Sequence, residues 1–458
     1  MFSLLSLFAL AQFSAPPITT AAPSQDVIVR PQDVRPLPGQ LDNIPVLNSN
    51  NPEVIYSDGI LVSTFPPHGK RSPQAHLDHP LQGRFDIFTH HIARGRFEDD
   101  WLPKYHTVVI NNPTSRPVVV DVLQGVSYVT NPDAPFVELP ATVENPTGDV
   151  YSGPGSRLAN DVLRGIDEPD FPDRLILDPG ESQLLFNFPI RLGNARSTLV
   201  RLRTSGPVYL ASLAKEGIQT NERAHRGPTL EEWKYLLMRG YLAYPRDRRP
   251  TPLEYDGDDV VYGRVAGVAQ GSQWQTSVVD EGKPYLTIPD NGEAFSYVLS
   301  SVPAGTLGTG QVQSAPMLAR YPDTAYLANG NYGVHYYLTL PLRNTTNRTQ
   351  NIAIAFQTPV KHDQEVEQLE FLNPPDDRIF FRGTVRVRYP DERGILRSRY
   401  FHLVQRRGQQ SPPLVTIPVK PGATREVKID FLYPPDATPP QVLTVRTLTD
   451  IEAAKYGD

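Results

Sequence analysis

Six of the ten histidines fall between residues 68 and 106: His68, His76, His79, His90, His91 and His106. Imidazole is the commonest metal ligand, and His76 with His79 plus His90 or His91 forms a candidate zinc set. The spacing fits no standard zinc signature, and no H-E-x-x-H string occurs. Neighbouring side chains on a strand point to opposite faces, so His90 and His91 would be split between two sides. The ordinary alternative is histidines in loops or in half-buried hydrogen bonds. Asp256-Gly257-Asp258-Asp259 is an acidic turn whose oxygens suit calcium, but it lacks EF-hand spacing and a distal Glu. A solvated hairpin tip is the default reading. Trp274, Tyr332 and Tyr336 are candidates to stack on sugar rings, although Tyr in a β-sandwich more often packs in the core or across strands.

Other chemistries have little to stand on. With no Cys, the chain has no thiolate nucleophile, disulfide or Cys-ligated metal. No G-x-S-x-G elbow is present. Gly305-x-x-Gly308-x-Gly310 lacks the β-α-β surroundings of a dinucleotide fingerprint. Carboxylates are plentiful, but the sequence sets no two of them at glycosidase separation. No catalytic residue and no organic cofactor is therefore assigned, and calcium or zinc is the only ion considered. The 44 basic residues against 50 acidic ones, a net charge of −6, argue against nucleic acid as a partner.

The elements that would carry these residues are strands. Tyr105–Val122 reads as strand, Asn-Pro-Thr-Ser turn, strand, because stiff Val and Ile runs flank turn chemistry. The pattern returns at Leu338–Phe356 around Asn344-Thr345-Thr346. A strand, Asp-Pro-Gly turn and strand at Leu175–Phe188 is echoed at Val415–Phe431, and Leu199–Thr204 is echoed at Val442–Thr447. Three features in the same order predict an internal duplication. The expected fold is all-β: two immunoglobulin-like β-sandwich domains around a mixed middle region with one short helix. That helix is placed near 230–239, where Thr229 and Glu232 form a capping box and Leu230, Trp233, Leu236 and Leu237 share one face. Only one helical turn is expected at Leu158–Leu163. Pro, at 47 of 458 residues, is about twice its average usage and excludes long helices.

The expected organisation is a signal peptide over 1–22 and a flexible Pro-rich lead-in over 23–44. An N-terminal sandwich with an extended segment follows over 45–217. A β-rich middle region spans 218–334, a C-terminal sandwich 335–449, and a tail 450–458. The signal rests on a short apolar run ending in Ala9-Leu10-Ala11, although no Lys or Arg precedes it. No other stretch has 18 consecutive apolar residues, so no transmembrane span is expected in the mature chain.

Several strings together resemble a family of uncharacterised cyanobacterial exported proteins, a domain of unknown function. They are Gly59–Pro66 after Asn48-Ser49-Asn50, Gly83–His91, Gly153–Arg157 and Gly330–Val334. The resemblance spans about Pro45 to Thr449, transfers no residue role, and implies a product in the periplasm, outer envelope or extracellular space. The expected function is a non-catalytic, structural or adhesive cell-envelope protein whose partners are envelope polysaccharide, peptidoglycan or other envelope proteins. The alternative is a carbohydrate-active protein, either a glycan-binding module or a glycoside hydrolase. A third reading, metal-dependent periplasmic binding, depends on the histidines.

Overall fold

The structure is a computed structural model, and it describes residues 25–255, 257, 259–363 and 367–456. Two polar corners set its plan. Buried Asn112 donates from Nδ2 to the carbonyls of Arg116 (2.7 Å), Leu177 (2.9 Å) and Asp178 (3.1 Å). Its Oδ1 accepts from the backbone N–H and the hydroxyl of Thr114 (2.9 and 2.7 Å). Asn344 does the same with the carbonyls of Arg348 and Val419 (both 2.8 Å) and with Thr346 (2.9 and 2.7 Å). An amide side chain offers two donors and an acceptor at once, so one Asn ties its own turn to the end of a neighbouring strand.

Around each corner five strands pair in the same way. In the first lobe Lys104–Asn111 pairs with Ser182–Ile190, and Val118–Val129 pairs with Arg174–Leu177 and Ala195–Glu216, all antiparallel. In the second, His335–Arg343 pairs with Thr424–Leu432, and Gln350–Gln357 pairs with Val415–Val419 and Gln441–Thr447. Register agrees at the corners. Asn111 faces Ser182 as Arg343 faces Thr424, and Val118 faces Leu177 as Gln350 faces Val419.

The first lobe folds one branched sheet into two layers. The long Ala195–Glu216 strand turns at Ser205-Gly206-Pro207. Its first part pairs with Leu81–Ala93, and its second with Lys104–Asn111 and Gly59–Ser63. Phe85, Ile87, Val108, Val120, Leu202 and Leu210 fill the space between. The second lobe stacks a seven-stranded sheet on a five-stranded one around Tyr336, Leu338, Phe356, Phe431 and Leu443. Alternation decides the faces: Val385 and Val387 are buried in that core, and Arg386 and Arg388 face outward. The chain is all-β in the main, as its patterning predicts.

Three features differ from the sequence reading. The middle region is not a separate body. Ala266–Gln270 pairs with Pro45–Ser49 in the first lobe, whereas Gln273–Ser277 runs parallel to His335–Arg343 and Ala294–Leu299 pairs with Gln441–Thr447 in the second. Short strands cannot bury a face alone, so each joins an existing sheet. The supposed flexible lead-in is also partly strand. Asp26–Pro31 pairs with Gln368–Asn373, Asp33–Arg35 runs beside Ala294–Leu299, and Leu37 enters the second core. Proline at edges permits this.

Finally, the chain has more helix than the single short one expected. Helix α1, Pro154–Arg164, has eleven residues, with Pro154 in its first turn and Gly165 left-handed (φ 70°) at its end. It wedges between the lobes. Leu158, Ala159 and Val162 pack with Tyr128 and Leu199 of the first lobe, and the Leu163 carbonyl accepts from Arg386 of the second (2.9 Å). The adjoining Thr142–Glu144 strand pairs with Leu396–Arg406 of the second lobe. Helix α2, Leu230–Arg239, forms as its capping box predicts, with Trp233 and Leu237 buried against Ile60 and Leu213. A third helix, α3, covers Asp450–Tyr456. No helix among the described residues is long and apolar enough to cross a membrane.

Candidate functional site

A groove of about 400 Å³ opens where the two lobes and the middle segment meet. Asn48, Asn50 and Glu53 come from the first lobe, Lys361 and Pro435 from the second, and Tyr262, Arg264 and Tyr332 from the segment between. It continues past Tyr262 and Lys361 into a second hollow of about 480 Å³ bordered by Tyr255, Tyr326 and His362. Neither lobe alone makes this concavity.

The walls are held by specific contacts. Asn331 sits in the left-handed region (φ 49°), a conformation Asn tolerates. Its amide donates to the Gln313 carbonyl (2.8 Å) and the Tyr336 hydroxyl (3.1 Å), and its Oδ1 accepts from Ala315 N–H (3.0 Å). That turn places the next residue, Tyr332, whose hydroxyl donates to the Ala437 carbonyl (2.9 Å). Tyr262 donates to the Ala304 carbonyl (3.1 Å) and accepts from Lys361 Nζ (2.9 Å). Glu53 forms an ion pair with Arg264, and its backbone N–H donates to Asp247 (2.9 Å). Burial pushes the Glu53 carboxyl up despite the Arg264 charge, pushes Lys361 down, and pushes the Tyr262 phenol up to about 12. Asn50 is only 3% exposed, and its Oδ1 has no hydrogen-bond partner.

The histidines are not brought together as a metal site. His76 Nδ1 bonds to Ser63 Oγ (2.9 Å), while His79 is half-buried beside it. His90 and His91 point to opposite faces of their strand. His90 Nδ1 meets Ser197 Oγ (2.8 Å), and His91 bonds to the Pro52 carbonyl and Ser49 Oγ (both 2.9 Å). Ser49 Oγ meets Ser212 Oγ (3.0 Å), which meets His106 Nε2 (2.9 Å). The result is a buried His–Ser chain inside the first lobe. Burial drives His76 and His90 down to about 4 and His91 to about 3, so these imidazoles are neutral. No group of three or more His, Asp or Glu side chains among the described residues converges to hold a metal ion.

The other candidates divide. Trp274 (4% exposed) and Tyr336 (0%) stack on each other at 6.2 Å within the second core, so neither offers a ring to solvent. Tyr332 does line the groove. Asp256 and Asp258 lie outside the described residues, and Asp259 is exposed. Sequence reasoning passed over Asn50, Glu53, Tyr262, Arg264 and Lys361. They lie in three separate stretches of chain, and no local spacing connects them.

Comparison with known proteins adds one identification. The family model described as "Protein of unknown function (DUF3370)" matches residues 32–447. No curated protein matches. Among solved structures, Lac15 from a marine microbial metagenome aligns at 11% identity and a TM-score of 0.11. Fet3p, a multicopper oxidase that functions in iron import, aligns at 9% identity and a TM-score of 0.12. Both alignments cover 90% of this chain and 66% of the other. At such scores neither likeness carries an argument about fold or chemistry.

Proposed function

Because this chain belongs to the DUF3370 family, whose description assigns no activity, we propose its function from its own geometry: an exported, non-catalytic cell-envelope protein that holds a partner in the groove between its lobes, in a structural or adhesive role. The observation that carries this reading is the groove itself. It needs both lobes and the middle segment, and it presents Tyr262 and Tyr332 beside polar side chains. His76, His90, His91 and His106 serve internal hydrogen bonds.

Cell fractionation followed by retention on peptidoglycan and on exopolysaccharide tests the proposal. The protein should appear outside the cytosol and bind one polymer, and Tyr262→Ala should weaken retention severalfold at temperatures where the variant stays folded. Recovery in the cytosol would remove the export reading. Retention unaffected by Tyr262→Ala would remove the groove.

A glycoside hydrolase is the second reading, favoured by one observation. Burial raises Glu53 on the groove wall and raises Asp436, next to the groove residue Pro435, to about 6. A raised carboxyl is what a general acid requires. Release of reducing sugar from the retained polymer, lost in Glu53→Gln, would support it. No release from either polymer would exclude it for these substrates.

We also infer that the two lobes are copies of one immunoglobulin-like unit. The shared strand pairing, the matching register and the twin Asn corners support this.

A further inference from the structure

We propose that the groove takes a carboxylate-bearing glycan, a uronic-acid oligosaccharide. The inference rests on the reading of the groove as the binding site and names what it binds. The argument starts from which charges remain unspent. The two carboxylates of the wall are already engaged: Glu53 with Arg264, and Asp247 with the Glu53 N–H at 2.9 Å. The cations are not. Lys361 Nζ donates to the Tyr262 hydroxyl (2.9 Å) and pairs with no carboxylate among the described residues, while Asp363 acts on it only at longer range. Arg248, exposed at the rim, also has no carboxylate partner among them. A half-buried ammonium bonded to a phenol is incompletely compensated, and an incoming carboxylate would complete it.

One further feature asks for a sugar rather than a bare anion. The rings of Tyr262 and Tyr332 line the same groove and offer apolar faces to sugar C–H groups, with Lys361 Nζ 4.8 Å from the Tyr262 centroid. A neutral glycan would use the rings but leave Lys361 unpaired. Phosphate would use the cations but leave the rings idle. A uronic-acid unit uses both.

Calorimetric titration of the full chain with three probes tests this: an oligogalacturonate, a neutral oligogalactose of equal length, and inorganic phosphate. The oligogalacturonate should bind about tenfold or more tighter than the neutral sugar, since a hydrogen bond to a charged group is worth more than a neutral one. Lys361→Gln should weaken oligogalacturonate far more than the neutral sugar and so abolish that advantage, and Lys361→Arg should restore it. Arg248→Gln, at the exposed rim, should cause a smaller loss that shrinks further at high salt. Equal binding of the two sugars, or phosphate bound as tightly as the oligogalacturonate, would overturn the uronic-acid assignment while leaving the groove in place. Failure of every sugar to bind, together with polymer retention that Tyr262→Ala does not alter, would defeat the groove reading itself.

Discussion

Replacing Asn112 by Ala removes the one side chain that fastens the first corner. Its amide satisfies three carbonyls, and its oxygen satisfies Thr114 twice. The turn partners lie near solvent and water can replace the lost bonds, but the bond to the Leu177 carbonyl is fully buried. A buried polar group left unsatisfied costs about 1–3 kcal/mol, and the half-exposed partners add about 0.5–1 kcal/mol each. The expected loss is therefore about 3 kcal/mol, which lowers the melting temperature of a lobe of this size by about 6–12 °C. Asn112→Asp should be worse than Ala. It keeps the acceptor for Thr114, but it removes both donors and sets a carboxylate against the Arg116, Leu177 and Asp178 carbonyls. Asn344→Ala should cost about as much as Asn112→Ala, because its donor to Val419 is equally buried. Scanning calorimetry of the variants reads all of this directly. A loss below about 1 kcal/mol for Asn112→Ala, or an Asp variant as stable as the native protein, would refute the account of the corner.

Acid should destabilise the protein well above the usual carboxylate range. His76, His90 and His91 titrate near 6.5 when unfolded but at about 4, 4 and 3 when folded, so between those values the unfolded chain binds more protons. Their contribution is complete above about pH 6.5 and declines as pH falls towards 4, at up to about 1.4 kcal/mol per group per pH unit. Melting temperatures measured between pH 7 and 4.5 should show that slope, and His91→Gln should flatten it; a flat profile would contradict it. Trp274→Ala should cost about 3–5 kcal/mol by emptying a core site, while glycan retention at temperatures where the variant stays folded should be unchanged; retention lost with stability intact would restore Trp274 as a binding surface. Gly155→Val would bring a Cβ within 2.4 Å of Pro435 Cγ, where α1 meets the second lobe. Small-angle scattering should show the lobes spread, and polymer retention should fall with them because Pro435 also lines the groove; an unchanged scattering profile would argue against α1 as the wedge.

How far the sequence could be read depended on how local each cause was. The corners were legible because Asn-x-Thr beside Val and Ile runs is turn chemistry between half-buried strands, wherever the chain goes next. Thr229 and Glu232 announced α2 because a capping box closes within four residues. Helix α1 was read as a single turn although Pro154 and Gly165 bracket it. Its apolar stripe, Leu158, Ala159, Val162 and Leu163, is short, and its polar face is buried as well, at Asn160 and Asp161, so no long surface-helix pattern marks it. Trp274 and Tyr336 were offered as sugar platforms because composition cannot say which side of a strand faces the core. For His76, His90 and His91 the strand alternation and the lack of a metal signature already favoured ordinary hydrogen-bonded histidines over ligands, and their bonds to Ser63, Ser197, Ser49 and the Pro52 carbonyl agree.

By itself the sequence determined the all-β class, the repeated corner and the absence of thiol chemistry. These follow from residue type and from spacings shorter than a single strand or turn. Tertiary structure alone decided that the middle segment is divided between two lobes, that the N-terminal stretch adds strands to the second, and that Asn50, Glu53, Tyr262 and Lys361 share one groove. Those outcomes depend on which sheet edge each short strand finds and on how α1 holds the lobes, contacts between residues far apart in the chain that no local pattern encodes.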